Sequence, residues 1–264
     1  MTSFPYLYIS TNDCQGSHGA GWHQSLPETE GLPPVPKLMA ALSPEVFQTG
    51  KIGVLIEDDL LHPLRIEMEE KVSSRELPQF LLWKLKRFLP YPVDQAAMRY
   101  LPLREKGSYL TFSLPDSWVR ELFEAFRKEK VHCGYMGGLF ATLAENHPLL
   151  RDRLSICFYR DCYLVTELDA GGAYLDFRLR RLPYDQHGQL EVTTLVESDL
   201  APLLRARETE KPVLLLNLSG VLDTFFERLV RALKTVEPEL DAPLLRGATV
   251  ARFLDFMAQK AVAP

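Results

Sequence analysis

Residues 212–220 read PVLLLNLSG, a run whose apolar side chains fall on both sides of any extended backbone. Such a strand cannot lie at a wetted sheet face; it demands a sheet covered on each side, most simply by helices. The next segment supplies one, with Leu222, Phe225, Phe226, Leu229 and Leu233 at the spacing of a single helical face. Upstream, residues 154–160, 162–168 and 173–182 read as three consecutive strands. The third is the plainest, Leu175, Phe177 and Leu179 alternating with Tyr174, Asp176, Arg178 and Arg180. A helix-like stretch over 196–208 separates them from the apolar strand, and Val250, Phe253, Leu254 and Met257 mark a last helix. The order is βββαβα plus a terminal helix, and the expectation is a mixed α/β protein.

The first half carries its own strands and helices. Residues 4–10 (FPYLYIS) read as a strand, with 18–26 expected to return beside it. Four prolines within residues 27–36 disfavour regular structure and suggest a strap. Residues 51–70 place two apolar runs around Glu57, Asp58 and Asp59, which reads as a hairpin with an acidic tip. Ser73 and Glu76 offer a capping box to a helix through Leu77, Leu81, Leu85 and Phe88 that ends at Pro90-Tyr91-Pro92. Strands follow near 96–103 and over SYLTFSLP (108–115). A helix begins at Asp116 and carries Val119, Leu122, Phe123 and Phe126, another strand runs from Val131 to Met136, and Gly137-Gly138 leads into a short helix.

Composition narrows the functional classes. With 30 Lys+Arg against 35 Asp+Glu the formal charge is −5, so no global positive field favours nucleic acid. Cys14, Cys133, Cys157 and Cys162 form no CxxC pair and read as reduced core residues, as suits a cytosolic compartment. Neither an export leader nor a run of about 18 apolar residues is legible, so the expectation is a soluble cytoplasmic chain.

Local sequence points further. GVLIEDDLLHPLRIEME (53–69), followed by ELPQFLLWKLKRFLPYPVDQAAMRYLPL (76–103), resembles the PilM family of type IV pilus assembly, in which a helix ends in a Pro-Tyr-Pro element before a strand. SLPDSWVRELFEAFRKEKVHCGYMGGLFATLAE (113–145) is similar to the family's next stretch, and the cytoplasmic region of the type II secretion L protein is a related comparison. The resemblance spans about 50–230 and implies an actin-like (ribonuclease-H-like) α/β fold of two lobes with an inserted small βαβ subdomain. The corresponding division is 1–95 for part of the first lobe, 96–136 for the insertion, and 137–264 for the remainder with the second lobe.

The resemblance also implies a nucleotide site with two phosphate-cradling turns that contain glycine, because glycine lets backbone N–H groups approach phosphate oxygens. Here those turns read Ile9-Ser10-Thr11-Asn12-Asp13 and Phe158-Tyr159-Arg160-Asp161-Cys162, without glycine, and the adenosine-end Gly-Gly is reduced to Ser219-Gly220-Val221. Gly16-Ser17-His18-Gly19-Ala20-Gly21 matches neither GxGxxG nor GKS/T. Each lost charge-assisted hydrogen bond removes roughly 1.5–3 kcal/mol, so the expectation is no ATP hydrolysis and no cofactor. The resemblance instead implies a non-catalytic adaptor gripping the short cytoplasmic tail of an inner-membrane assembly protein, and associating with the membrane through that partner. The tail is expected in a groove between the main lobe and the insertion, with Phe88, Tyr91 and Pro92 as candidate contacts. The alternatives are an actin-superfamily ATPase or phosphotransferase with ATP held by other loops, and an unrelated α/β binding module.

Other chemistry has less support. Glu57, Asp58 and Asp59 are expected to be solvated at a hairpin tip, and His132 and Cys133 to face opposite sides of a strand. No G-x-S-x-G, H-E-x-x-H or spaced Cys/His set provides a catalytic or metal centre. Trp83, Trp118 and Tyr91 could anchor a partner, but core packing is the stronger reading, and Arg160, Arg178, Arg180 and Arg181 read as a solvated basic face.

Overall fold

The computed structural model describes residues 5–16, 22–26, 31–48, 50–69, 72–146, 150–159, 161–184, 190–206, 211–217 and 223–240. They divide into two compact units, one holding the described residues up to Asn146 and the other those after it. The first unit runs β1 (Tyr6–Ile9), β2 (Asp13–Gly16), β3 (Trp22–Ser25), α1 (Val35–Ala41), α2 (Pro44–Gln48), β4 (Lys51–Ile56) and β5 (Leu64–Glu67). It continues with α3 (Leu77–Leu85), β6 (Ala96–Pro102), β7 (Ser108–Pro115), α4 (Asp116–Lys128), β8 (His132–Gly138) and α5 (Leu139–Asn146).

Two sheets organise this unit. The larger has the order β3-β2-β1-β4-β8, with antiparallel β1–β2 and β2–β3 pairs and parallel β1–β4 and β4–β8 pairs. Its centre is apolar on both faces: Leu7, Ile9, Val54, Leu55 and Ile56 are buried, as a covered sheet requires. The smaller sheet, β5-β7-β6, is antiparallel throughout. Leu77, Leu81 and Leu85 of α3 lie one helical turn apart and bury against Ile66 of β5, with Leu64, Met98 and Tyr109 packed around them. Fully burying a side chain of this size is worth about 1.5–3 kcal/mol.

The second unit contains β9 (Arg153–Phe158), β10 (Cys162–Leu168), β11 (Tyr174–Arg181), α6 (Val192–Thr194), a π-helical segment (Leu195–Leu200), α7 (Ala201–Ala206), β12 (Val213–Asn217) and α8 (Asp223–Leu233). Its sheet order is β11-β10-β9-β12, antiparallel except for the β9–β12 pair. Val213, Leu214, Leu215 and Leu216 are all buried, so β12, although it ends the sheet, is covered on both faces as the composition of this run demands. Phe225, Phe226, Leu229 and Leu233 of α8 join the same core as Ile156, Phe158 and Leu215. The βββαβα order read from sequence is realised, while the helix expected around Val250 lies outside the described residues.

Several local expectations are corrected. Residues 51–69 do not form a hairpin: β4 enters the larger sheet and β5 the smaller, joined through a 3-10 turn at Asp58–Leu61. Apolar runs on both sides of an acidic cluster suit two sheets as well as two paired strands. The segment near 22–25 pairs with β2 rather than returning directly to β1. The proline-rich stretch is no strap in its later part, because α1 starts at Val35 with proline in its first turn, where the missing N–H costs nothing. Of the strands expected within 96–136, β6 and β7 join β5 in the smaller sheet, whereas β8 closes the larger one.

Candidate functional site

β6 is the last strand of the smaller sheet and β8 the last strand of the larger one. Between them lies a cavity of about 570 Å³ within the first unit. Residues 97–101 of β6 and 133–138 of β8 line it consecutively. Side chains alternate sides along a strand, so an unbroken run of lining residues means that each strand presents its edge, with backbone donors and acceptors, rather than one face. Phe112 and Leu114 of β7 and Val119 and Phe123 of α4 add apolar wall. Arg99 Nη1 donates to the Met136 carbonyl at 3.0 Å and so ties one wall to the other.

The sequence places α4 to serve both core and groove. Asp116 begins the helix and pairs with Arg120 at 2.6 Å, one turn on. Trp118, Leu122 and Phe126 form the buried stripe, and Trp118 Nε1 donates to the Pro33 carbonyl at 2.8 Å. Trp118 is therefore a core residue and not an exposed anchor. Val119 and Phe123, expected in the core stripe, are displaced by one position from it and turn to the groove, where Phe123 remains 41% exposed. A neighbouring hollow shares Phe123 and Cys133 and continues to Arg127, Lys130 and His132, giving the groove a basic end. Cys133 sits half-buried at the junction; its thiol donates to the Tyr135 carbonyl at 3.2 Å, and burial pushes its pKa up to about 11.

Glycines near the end of β8 set the close approach of its neighbours. A Cβ on Gly138 would run into Asp58 Oδ1 and lie 2.9 Å from Leu61 Cδ1. Asp58 is buried, and its Oδ2 accepts from the Phe140 N–H at 2.8 Å, satisfying a donor in the first turn of α5. Glu57 is also buried, so these acids are not the solvated hairpin tip expected from sequence. Desolvation pushes the Glu57 carboxyl well above the usual carboxylate range; Asp59, Asp13 and Asp58 add to the rise, and a hydrogen bond from Tyr8 opposes it. Missed in sequence, this burial has a traceable cause: the turn carries Glu57 past the end of β4, where its N–H donates to the Ile9 carbonyl at 2.9 Å.

Phe88, Tyr91 and Pro92, the contacts nominated from the resemblance, do not line the groove. Phe88 is 65% exposed beyond α3, and Tyr91 is half-buried with its ring edge-on to His62 at 5.8 Å. Trp83 is 64% exposed. His132 is exposed and Cys133 half-buried on β8. Arg178 pairs with Asp176 at 2.7 Å and Arg180 with Asp199 at 3.3 Å, so much of the expected basic face is neutralised. Among the described residues no group of three or more His, Cys, Asp or Glu is placed to hold a metal ion.

The two turns in which the resemblance implies phosphate binding lie one in each unit. Between β1 and β2, Ser10 N donates to the Asp13 carbonyl at 3.0 Å, and the Ser10 hydroxyl lies 3.1 Å from Asp13 Oδ1. The turn is closed by its own side chains. In the second unit Tyr159 is buried at the corresponding turn, its N–H donating to the Cys162 carbonyl at 2.9 Å, while Arg160 lies outside the described residues. Gly19, Gly21 and Ser219-Gly220-Val221 also lie outside them.

The sequence matches no protein-family model and no curated protein. The two units share one strand plan, with the third, second and first strands followed by the fourth, and the fourth parallel to the first. Solved structures share the full architecture. A chain of a PilM-PilN type IV pilus biogenesis complex matches with a TM-score of 0.65 at 15% identity, covering 100% of this chain and 99% of that one. A Bacteroides thetaiotaomicron protein of actin-like ATPase fold and unknown function matches at 0.62 and 9% identity, covering 97% and 95%. The fold is actin-like. The cytoplasmic domain of EpsL, an inner-membrane component of the Vibrio cholerae type II secretion system, is a third actin-like relative in shape, with a TM-score of 0.54, 13% identity and coverage of 100% and 97%. The α/β architecture expected from the local resemblance is the one present.

Proposed function

We propose that this actin-like protein is a non-catalytic adaptor of a type IV pilus or type II secretion-like platform, and that it holds the cytoplasmic tail of an inner-membrane partner in the groove between β6 and β8. The observation that carries this reading is the pair of strand edges facing one apolar cavity. An extended peptide can satisfy its backbone against such an edge while alternate side chains enter the hydrophobic wall, which is the physics of strand addition. The full-length likeness in fold to a protein solved as a PilM-PilN complex supports the choice of partner class.

The alternative, an ATPase or phosphotransferase, draws on the fold shared with actin-like ATPases. Local chemistry weighs against it. A triphosphate needs convergent N–H donors, whereas the β1–β2 turn is filled by Ser10 and Asp13 and adjoins the buried acid Glu57. We read the site as one that holds no nucleotide and the molecule as cytoplasmic, placed at the membrane's inner face through its partner.

A photoreactive amino acid placed at Phe123, in cells that make the full chain, tests the adaptor reading directly. The expected product is a crosslink to the cytoplasmic tail of an inner-membrane protein, identified by mass spectrometry. Crosslinks confined to soluble metabolic enzymes, or none at all, would overturn it.

A further inference from the structure

The outer face of α3 is not used by the core. Leu77, Leu81 and Leu85 account for the buried stripe, yet the same short helix and the turn after it carry Phe80, Trp83, Lys84, Lys86, Arg87 and Phe88. Trp83 and Phe88 are 64% and 65% exposed, the two most exposed large hydrophobic residues among those described. Phe80, Trp83, Lys84 and Arg87 fall at i, i+3, i+4 and i+7, so they share one face. The Phe80 and Trp83 rings lie 5.6 Å apart, and Lys84 Nζ sits 5.5 Å from the first centroid and 5.6 Å from the second. The exposed cation lies beside both rings rather than at the margin of the patch.

Charge is concentrated on the same segment. Over residues 72–92 the ionised side chains are Arg75, Lys84, Lys86 and Arg87 against Glu76, giving 4 − 1 = +3 in a chain of formal charge −5. The rest of the chain is therefore at −8, and this helix is a local reversal of sign.

We propose that the outer face of α3 is a docking surface for an anionic lipid bilayer. Three properties select that occupant. Tryptophan and phenylalanine settle at the boundary between headgroups and acyl chains, while lysine and arginine beside them meet acidic headgroups. Protein interfaces, by contrast, are depleted of lysine at their centres, where this face has Lys84 within 5.6 Å of both ring centroids. A convex helix face also offers no concavity in which a peptide or small ligand could be enclosed. The surface is distinct from the β6–β8 groove, so direct lipid contact would add to any attachment supplied by a tail and does not depend on it.

The test is co-sedimentation of the full chain with vesicles of phosphatidylglycerol and phosphatidylcholine, compared with phosphatidylcholine alone. The chain should pellet with the anionic vesicles only and be released by salt. The triple variant Lys84→Glu, Lys86→Glu, Arg87→Glu should bind at least about 100-fold more weakly, since losing the attraction of three cations near an anionic surface alone accounts for that factor and the three carboxylates add repulsion. Trp83→Ser with Phe88→Ser should weaken binding while leaving its salt sensitivity. Should that apolar variant fail to fold, the charge variant decides alone. Equal pelleting on neutral vesicles, no pelleting on either, or unchanged binding by the charge variant would overturn the proposal. So would self-association of the wild-type chain in sedimentation velocity that Trp83→Ser abolishes, since the face would then belong to a second copy.

Discussion

Glu57 shows how a single turn changes the chemistry of a side chain. In the sequence it stands just before two acids and reads as solvated; in the fold it is buried beside Tyr8 and carries a raised pKa. In the unfolded chain the carboxyl ionises near the usual value of about 4.3, whereas in the folded chain it keeps its proton to higher pH. Between those two values the folded state binds more protons than the unfolded, so stability falls as pH rises. The contribution is fully present below the ordinary carboxylate value and is lost as pH climbs through the raised one. Glu57→Gln keeps the shape and removes the ionisation. Thermal melts should therefore show the variant increasingly more stable than wild type from about pH 5 upward, with the two converging at lower pH. A constant offset across pH would mean that Glu57 does not titrate in this environment.

At the scale of elements, α4 is the clearest case of one helix divided between two tasks. Its buried stripe of Trp118, Leu122 and Phe126 holds the fold, and its adjacent pair, Val119 and Phe123, walls the groove. Phe123→Asp should accordingly leave the thermal midpoint nearly unchanged, within about 0.5 kcal/mol of stability. It should also lower recovery of a membrane partner in pull-downs at least tenfold, because a carboxylate would be desolvated against an extended apolar segment. Loss of both fold and binding would place Phe123 in the core after all. Periodicity could not separate these roles in advance, since Val119, Leu122, Phe123 and Phe126 all satisfy helical spacing and only packing shows which of them face protein. The hairpin read over residues 51–70 failed for a related reason: alternation reports which side of a strand is covered, not which sheet the strand joins. β4 and β5 were legible as strands, but the groove depends on β6 and β8 ending two different sheets, and nothing in either strand's own pattern encodes that.

At the scale of the whole molecule, the βββαβα order of the second unit was the most legible feature, because apolar strands followed by amphipathic helices restrict topology to few solutions, and its recurrence in the first unit emerged only from the fold. The same plan recurs across chains solved with little sequence in common, so it defines architecture and leaves chemistry to the turns. Ser10 with Asp13 in one unit and buried Tyr159 in the other are the local features on which the proposed lack of nucleotide binding rests. A ligand binding only the native state at 100-fold excess over Kd adds about 2.7 kcal/mol, which in a chain of this size raises the midpoint by about 5–10 °C. If the proposed reading holds, millimolar Mg-ATP should raise the midpoint by less than about 1 °C, since Ser10 and Asp13 close the β1–β2 turn and the carboxylates by β1 and β4 oppose a polyanion. Replacing Ser10 and Asn12 with glycine tests the reason as well as the result. If side-chain closure of the turn is what excludes phosphate, the double variant should gain part of the shift, whereas a full shift already present in the wild-type chain would return the protein to the nucleotide-binding class.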